Sequence, residues 1–177
     1  MRHAAVSGSV LKLRFKAKSG QLREMTITDR SLTRFVKAMQ DLPGQHLFQY
    51  VDADGTACPI GSGDVNDYLR EAMGEDFTAK HFRTFHASAL ALQLLAEAEG
   101  TLGIKALSEA VAERLGNTAT IARKSYIHPA VLALVDGQIK WRAKLKPPRA
   151  TRWLSPHERA LIALLEKAPK AAKLLAA

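Results

Sequence analysis

Apolar and charged side chains alternate in two segments of the first thirty residues, as they do in strands that have one face against a core and one face in solvent. In the segment from Val6 to Phe15, apolar residues alternate with lysine and arginine from Leu11 onward, and an alternating pattern resumes from Leu22 to Thr28. This period of two predicts two antiparallel strands. The polar segment Lys16–Gly20 between them predicts a turn. We therefore expect a β-hairpin with Lys18 at or near its tip.

The rest of the chain has mostly the period of helices, with start and stop signals at the boundaries. An apolar run at 47–51 ends in the turn 52–55, and Ser62 or Asp64 can begin a helix whose apolar face includes Tyr68 and Met73. The segment 85–95 is nearly all alanine and leucine, so the helix containing it should be central and buried. The predicted helices cover about 30–41, 62–73, 79–99, 107–115, 119–126, 129–137 and 156 onward, with caps at Asp29, Thr78, Gly116, Thr118 and Ser155. The expected fold class is mainly α with a small antiparallel β-hairpin.

A basic segment with two adjacent prolines suggests a linker near the end of the chain. Residues 144–152 are polar and basic and include Pro147 and Pro148. We expect a main domain over 1–143, a linker over 144–154 and a C-terminal helix or tail over 155–177. The amphipathic face of the last helix favours packing on the core, but the prolines leave a projecting tail open.

Charge is distributed unevenly and suggests a polyanionic partner. The net charge is +9, with +7 in residues 1–37, −6 in 38–137 and +8 in 138–177. Basic ends around an acidic middle favour nucleic acid, although a soluble protein can simply be basic. No apolar stretch is long enough to span a bilayer, and no signal peptide is visible. The single Cys58 excludes an internal disulfide and fits the cytoplasm, where we expect the protein.

Four polar residues are candidates for chemistry, although each has an ordinary alternative. Lys18 could be a solvated charge, and Asn117 could serve only its turn. Tyr126 could be a packing residue beside two cations. Arg83 is less easily explained, because a helix N-terminus disfavours a cation and an anion would relieve it. The histidines show no metal-ligand spacing, the turn 52–55 lacks the further acids of a calcium loop, and phosphate-binding glycine motifs are absent.

Together these four residues fit phosphodiester cleavage without a metal. That reaction needs a nucleophile, an acid for the leaving oxygen, and donors for the non-bridging oxygens. Tyr126 could attack, Lys18 could protonate the leaving hydroxyl, and Arg83 could bind the phosphate through its planar fork. Asn117 could donate one more hydrogen bond. We expect no cofactor and no metal.

Four motifs, in order and at similar spacing over about residues 2–135, resemble the catalytic domain of bacterial and poxvirus-type DNA topoisomerases IB. They are Phe15–Gly20, Lys80–Phe85, Ala112–Thr118 and Arg123–Pro129. The resemblance implies that Tyr126 forms a 3′-phosphotyrosyl bond and frees a 5′-hydroxyl, which re-attacks after the strand swivels. It also implies that Lys18 is the general acid and that Arg83 binds the phosphate. Residues near these four are expected to contact DNA: Lys16, Ser19, Lys80, Arg123 and Lys124.

Two departures from the family qualify this interpretation. Asn117 stands where many relatives have histidine, although bacterial-type members often have asparagine. The family also has a second catalytic arginine thirty to forty residues before the hairpin lysine, and only seventeen residues precede Lys18. Because that arginine is missing, we expect these residues alone to relax supercoiled DNA poorly. We also expect a monomer on double-stranded DNA, associated with the nucleoid, with the family's N-terminal clamp domain as a further partner.

Two alternatives remain. A tyrosine recombinase or integrase shares this catalytic fold, but those enzymes usually show His-x-x-Arg where this chain has Lys80–Arg83, and Leu-Gly-His where it has Leu115–Asn117. Both differences favour the topoisomerase. The other alternative is a DNA-binding module that keeps the fold without catalysis.

Overall fold

The computed structural model of the protein describes residues 3–16, 20, 22–41, 46–74, 76–169, 171 and 174. The chain divides into two compact units, residues 1–68 (the N-terminal unit) and residues 69–177 (the C-terminal unit). Among the described residues, no helix is both long and apolar enough to cross a membrane.

A three-stranded antiparallel sheet opens the N-terminal unit. Its strands are β1 (Ala4–Ser7), β2 (Val10–Lys16) and β3 (Leu22–Thr28), in that order. Pairing of β2 with β3 confirms the predicted hairpin, but Lys18 at its expected tip lies outside the described residues. The prediction of a single first strand is wrong. Gly8 has a φ of 58°, and Ser7 pairs with Val10 across a tight turn that glycine favours.

Helix α1 (Arg30–Gln40) covers the sheet and completes a small core. As predicted, Asp29 caps it, with the carboxylate accepting a 2.8 Å hydrogen bond from the Leu32 amide. Ala4, Leu11 and Val36 are buried together between the strands and this helix. The hairpin is therefore attached to a packed scaffold.

A second hairpin follows, formed by β4 (Gln49–Val51) and β5 (Ala57–Pro59). Its turn is the predicted aspartate-rich one, in which the Asp52 carboxylate accepts from the amides of Asp54 and Thr56 at 3.1 and 2.8 Å. Strand β5 was not predicted, because three residues are too few to show alternation.

Helix α2 (Ser62–Met73) corrects one packing expectation. Its end at Met73 agrees with the prediction, but Ser62 and Asp64, the two predicted caps, both lie in its first turn. The Asp64 carboxylate accepts from the Gly61 amide at 2.7 Å. No residue of α2 is buried, however, and Tyr68 on the expected packing face is 69% exposed. The apolar spacing correctly indicated the helix but not the packing of its apolar face.

The C-terminal unit is a cluster of helices around α3 (Ala79–Glu97), which is the predicted central helix. Ala91, Leu92 and Leu95 are fully or almost fully buried on it. The further helices are α4 (Ile104–Leu115), α5 (Ala119–Ser125), α6 (Pro129–Leu132), α7 (Gln138–Lys144) and α8 (Pro156–Lys167). Their apolar faces share one core with α3.

Two features between residues 129 and 144 differ from the expectation. The predicted helix over 129–137 is interrupted, since a turn and a short 3₁₀ helix at Val135–Gly137 follow α6. Helix α7 was not predicted as a separate element. Arg142 on α7 donates to the carbonyl oxygens of Leu95 and Gly100 at 3.0 and 3.1 Å. It thereby satisfies free carbonyls at the end of α3.

Helix α8 packs on the core of the C-terminal unit. Leu161 is completely buried in the same cluster as α3. Its start is the predicted capping box: the Glu158 amide donates to the Ser155 hydroxyl at 3.2 Å, and the Ser155 amide donates to the Glu158 carboxylate at 2.7 Å. These hydrogen bonds from Ser155, the backbone one first, lower the pKa of Glu158 despite its partial burial. The preceding residues 145–154 contain no regular secondary structure.

Candidate active site

Arg83 lies against the ring of Tyr126 in the C-terminal unit. Its guanidinium carbon is 5.1 Å from the ring centroid, a cation–π distance. One of its nitrogens donates a 2.7 Å hydrogen bond to the Leu115 carbonyl oxygen at the end of α4. Arg83 is nevertheless exposed. The structure therefore brings together two of the four predicted chemical residues and leaves guanidinium donors free for an anion.

Tyr126 follows α5 rather than lying within it, which corrects the predicted helix bounds. It is the C-cap residue, with φ −129° and ψ −33°, and its amide donates to the Ala122 carbonyl oxygen. Its side chain is half-buried at the edge of the core. The neighbouring Arg123 and Lys124 are exposed in the last turn of α5.

Ser88 attaches the Tyr126 segment to α3. Its buried hydroxyl oxygen lies 2.8 Å from the Thr84 carbonyl oxygen and 3.1 Å from that of Tyr126, either of which can accept its proton. The same oxygen accepts a 2.9 Å hydrogen bond from the His128 amide. Sequence reasoning missed Ser88, although a single hydroxyl in an alanine and leucine run is a usable signal.

Asn117 follows the end of α4, two residues after Leu115, whose carbonyl oxygen Arg83 contacts. Gly116 ends the helix in the left-handed conformation, with φ 69°. The Asn117 amide donates to Ala112, as in a Schellman ending. Its side-chain Nδ2 is buried, and among the described residues it has no hydrogen-bond partner. A buried donor without a partner is costly in a fold, and a catalytic role is one explanation for such an exception.

His128 is a structural neighbour of the site that sequence reasoning did not single out. Its Nδ1 accepts a 3.1 Å hydrogen bond from the Ala130 amide and so caps α6, where Pro129 is the first helical residue. Burial lowers the pKa of His128, which favours the neutral ring that can accept this bond. A histidine directly before a proline at a helix start was the available signal.

The remaining predicted residues are distributed over both units. Lys80 is exposed in the first turn of α3, and Lys16 is exposed at the end of β2 in the N-terminal unit. Lys18 and Ser19 lie outside the described residues. Within the described part of the chain, no three His, Cys, Asp or Glu side chains are grouped as a metal site requires.

Comparison with known proteins gives the family. Residues 1–146 match the catalytic core of eukaryotic DNA topoisomerase I. The chain belongs to this family. A DNA topoisomerase 1B of Acanthamoeba polyphaga mimivirus is 33% identical over 147 residues, which are 75% of this chain and 44% of the viral protein. The chain therefore spans less than half the length of that relative. The topoisomerase family agrees with the fold class that the sequence indicated, and the mainly helical structure with its small antiparallel sheet confirms it.

Proposed function

We propose that this chain is the catalytic domain of a type IB DNA topoisomerase, which relaxes supercoiled DNA through a transient single-strand break. The observation that carries the proposal is the placement of the Arg83 guanidinium against the Tyr126 ring. A phosphate bound to Arg83 would lie close to the tyrosine hydroxyl. Membership of the topoisomerase I family supports the same function.

The proposed reaction consists of two successive transesterifications at one phosphodiester. The Tyr126 hydroxyl loses its proton to solvent and its oxygen attacks phosphorus. The bond to the 5′ oxygen breaks, and a 3′-phosphotyrosyl linkage and a free 5′-hydroxyl result. After the strand swivels, that hydroxyl attacks phosphorus and releases Tyr126. One ester replaces another in each step, so no nucleotide hydrolysis is needed, and we propose that no metal is needed either.

Each of the other candidate residues has a role in this proposal. Lys18 protonates the departing 5′ oxygen and deprotonates it on return. Arg83 and the Nδ2 donor of Asn117 bind the non-bridging oxygens, whose negative charge grows in the transition state. Lys16, Ser19, Lys80, Arg123 and Lys124 hold the DNA backbone. The unpartnered Nδ2 supports the role of Asn117, because a phosphate oxygen would satisfy it.

A suicide substrate tests the chemistry. Residues 1–177 are incubated with duplex DNA in the presence of a chelator and in the absence of nucleotide. The duplex is designed so that the fragment with the 5′-hydroxyl dissociates after cleavage and cannot re-attack. We expect a covalent adduct that keeps a label placed on the 3′-phosphate side, and none with Tyr126→Phe. DNA binding by both proteins without any adduct would favour a binding module. Exchange of strands between two specific sites would favour a recombinase.

We further propose that residues 1–177 alone react slowly. The family's second catalytic arginine has no assigned counterpart among these residues. The loss of one preorganised donor typically lowers a rate by about two to three orders of magnitude. Plasmid relaxation should therefore need stoichiometric protein and long incubation. Rapid relaxation at a small fraction of the plasmid concentration would contradict this proposal.

A further inference from the structure

The segment Arg149–Trp153 carries a second aromatic and basic surface, outside the part of the chain that matches the topoisomerase family. The family match ends at residue 146. Trp153 is 77% exposed, the highest value among the described large apolar side chains. The Arg152 guanidinium carbon is 4.5 Å from its ring centroid. One face of the indole therefore contacts a cation, and most of the ring remains accessible.

Hydrogen bonds hold this segment in place. The Thr151 amide donates to the Leu154 carbonyl oxygen at 2.9 Å, and the Thr151 hydroxyl accepts from the Trp153 and Leu154 amides at 3.3 and 3.0 Å. On α8, Arg159 donates to the Arg149 carbonyl oxygen at 2.6 Å. A hydrogen-bonded turn therefore fixes the backbone at Trp153.

Helix α8 connects this turn to the helix that carries Arg83. Leu161 of α8 is buried in the shared core. Near the start of α8, Glu158 lies 3.1 Å from His86 of α3, one helical turn after Arg83. The aromatic surface therefore belongs to the same unit as the candidate active site.

Every charged residue between positions 140 and 153 is a lysine or an arginine. Residues 140–153 contain six lysines and arginines and no acid. Arg142 is used internally, but the other five are exposed, and within the described residues none forms an ion pair with a carboxylate. They are Lys140, Lys144, Lys146, Arg149 and Arg152. Such a surface attracts a polyanion.

We propose that residues 140–153 form a second nucleic-acid contact, in which Trp153 stacks on a base of an unpaired strand. The cations bind the phosphates of that strand. Stacking on a tryptophan is sequence-tolerant, and it requires a base that is not already stacked in a duplex. The partner is therefore single-stranded nucleic acid or the unpaired end of a broken duplex. This contact does not depend on cleavage by Tyr126. An experiment can therefore refute the contact without refuting the proposed reaction, and the reverse.

Fluorescence of Trp153 tests the proposal in the full chain. The protein has two tryptophans, and Trp141 packs against the core, so Trp141→Phe leaves Trp153 as the only reporter. A short oligothymidylate should quench this emission more strongly than a blunt duplex of the same length does. Trp153→Ala, in otherwise unchanged protein, should weaken oligothymidylate binding about tenfold, within the range measured for loss of one stacked base.

Two controls make the result decisive. Tyr68 is the matched aromatic, since it is 69% exposed and lies outside the basic segment, and Tyr68→Ala should bind like the parent. Polyglutamate tests for an acidic polypeptide partner. Equal quenching by polyglutamate, equal quenching by duplex, or unchanged binding by Trp153→Ala would each overturn the stacking proposal.

Discussion

Ser88 determines where the backbone of the candidate nucleophile lies relative to α3. It contacts the carbonyl oxygen of Tyr126 and accepts from the amide of His128, so its hydroxyl holds both ends of a three-residue segment. Ser108 offers a matched control. It is equally buried at 2% exposure and donates to the carbonyl oxygen four residues earlier, at 2.6 Å, but has no bond to this segment.

Ser88→Ala should slow covalent adduct formation about tenfold or more at saturating DNA, with little change in DNA affinity. The reason is that Tyr126 loses its backbone anchor while the phosphate contacts remain. It should also unfold more easily by about 1–3 kcal/mol, because the partly buried His128 amide loses its acceptor. Single-turnover cleavage and urea unfolding give both values.

Ser108→Ala separates positioning from general stability. It should lower stability but leave the cleavage rate at saturating DNA unchanged. Faster hydrogen exchange at the His128 amide in Ser88→Ala, and not in Ser108→Ala, should accompany the slower cleavage. Equal cleavage rates in the two variants would remove the positioning role.

Asn117→Ala should affect catalysis and stability differently. The buried Nδ2 has no partner among the described residues, so its removal costs no hydrogen bond in the free protein. Stability should stay within about 0.5 kcal/mol of the parent or rise. Cleavage should fall by about two to three orders of magnitude, since a donor to the phosphate is lost. A large loss of stability with normal cleavage would show that Asn117 serves only its turn.

At the residue scale, the sequence indicated candidate groups for the chemistry and missed Ser88, which contacts the backbone on either side of Ile127. Arg83 and Tyr126 lie in motifs with recognisable order, and they do come together. Ser88 has an ordinary explanation in any helix, a bond back to the preceding turn, so its link to a segment 40 residues later is visible only in three dimensions.

Helix α6 carries a pH-dependent cap. The neutral Nδ1 of His128 accepts from the Ala130 amide, and burial lowers the pKa of this ring below its unfolded value. The unfolded chain therefore binds the proton more readily. The stability contributed by neutral His128 is complete above the unfolded pKa of about 6.5, and it is lost as the pH falls through the lowered folded pKa.

His128→Asn should remove this dependence, because asparagine also accepts at an N-cap and does not titrate. Between about pH 7.5 and about pH 5.5, the melting temperature of the parent should fall further than that of the variant. The other histidines are common to both proteins and cancel in the difference. His128→Ala should be less stable by about 1 kcal/mol at neutral pH, as expected for a lost cap. Parallel pH profiles for parent and His128→Asn would contradict the cap.

At the element scale, boundaries with a chemical signal were predictable, whereas a three-residue strand and the packing of a helix face were not. Asp29 and the Ser155–Glu158 box gave correct helix starts because their side chains bond to defined amides. The break after Ser7 depends on one glycine with positive φ, and β5 is only three residues long. The unburied face of α2 shows that periodicity predicts a helix without stating what covers it.

For the whole molecule, the separation of charge along the sequence predicts salt-dependent binding. Phosphate contacts release counterions, so affinity should decrease linearly on a log–log plot as salt increases. Not every cation takes part, however, because Arg142 is engaged at the end of α3. The net charge alone therefore overestimates the number of phosphate contacts.

Arg123→Gln and Lys105→Gln distinguish a local contact from overall charge. Both residues are exposed, both lie in the acidic middle of the chain, and each variant loses one positive charge. Arg123, however, begins the motif that contains Tyr126, whereas Lys105 lies at the start of α4, outside the four motifs. If Arg123 binds a phosphate, its variant should reduce the slope of log affinity against log salt by about one, and Lys105→Gln should leave it unchanged. Fluorescence anisotropy with a labelled duplex, over several salt concentrations, measures both slopes. Equal reductions in the two variants would mean that net charge, rather than a surface around Tyr126, attracts the DNA.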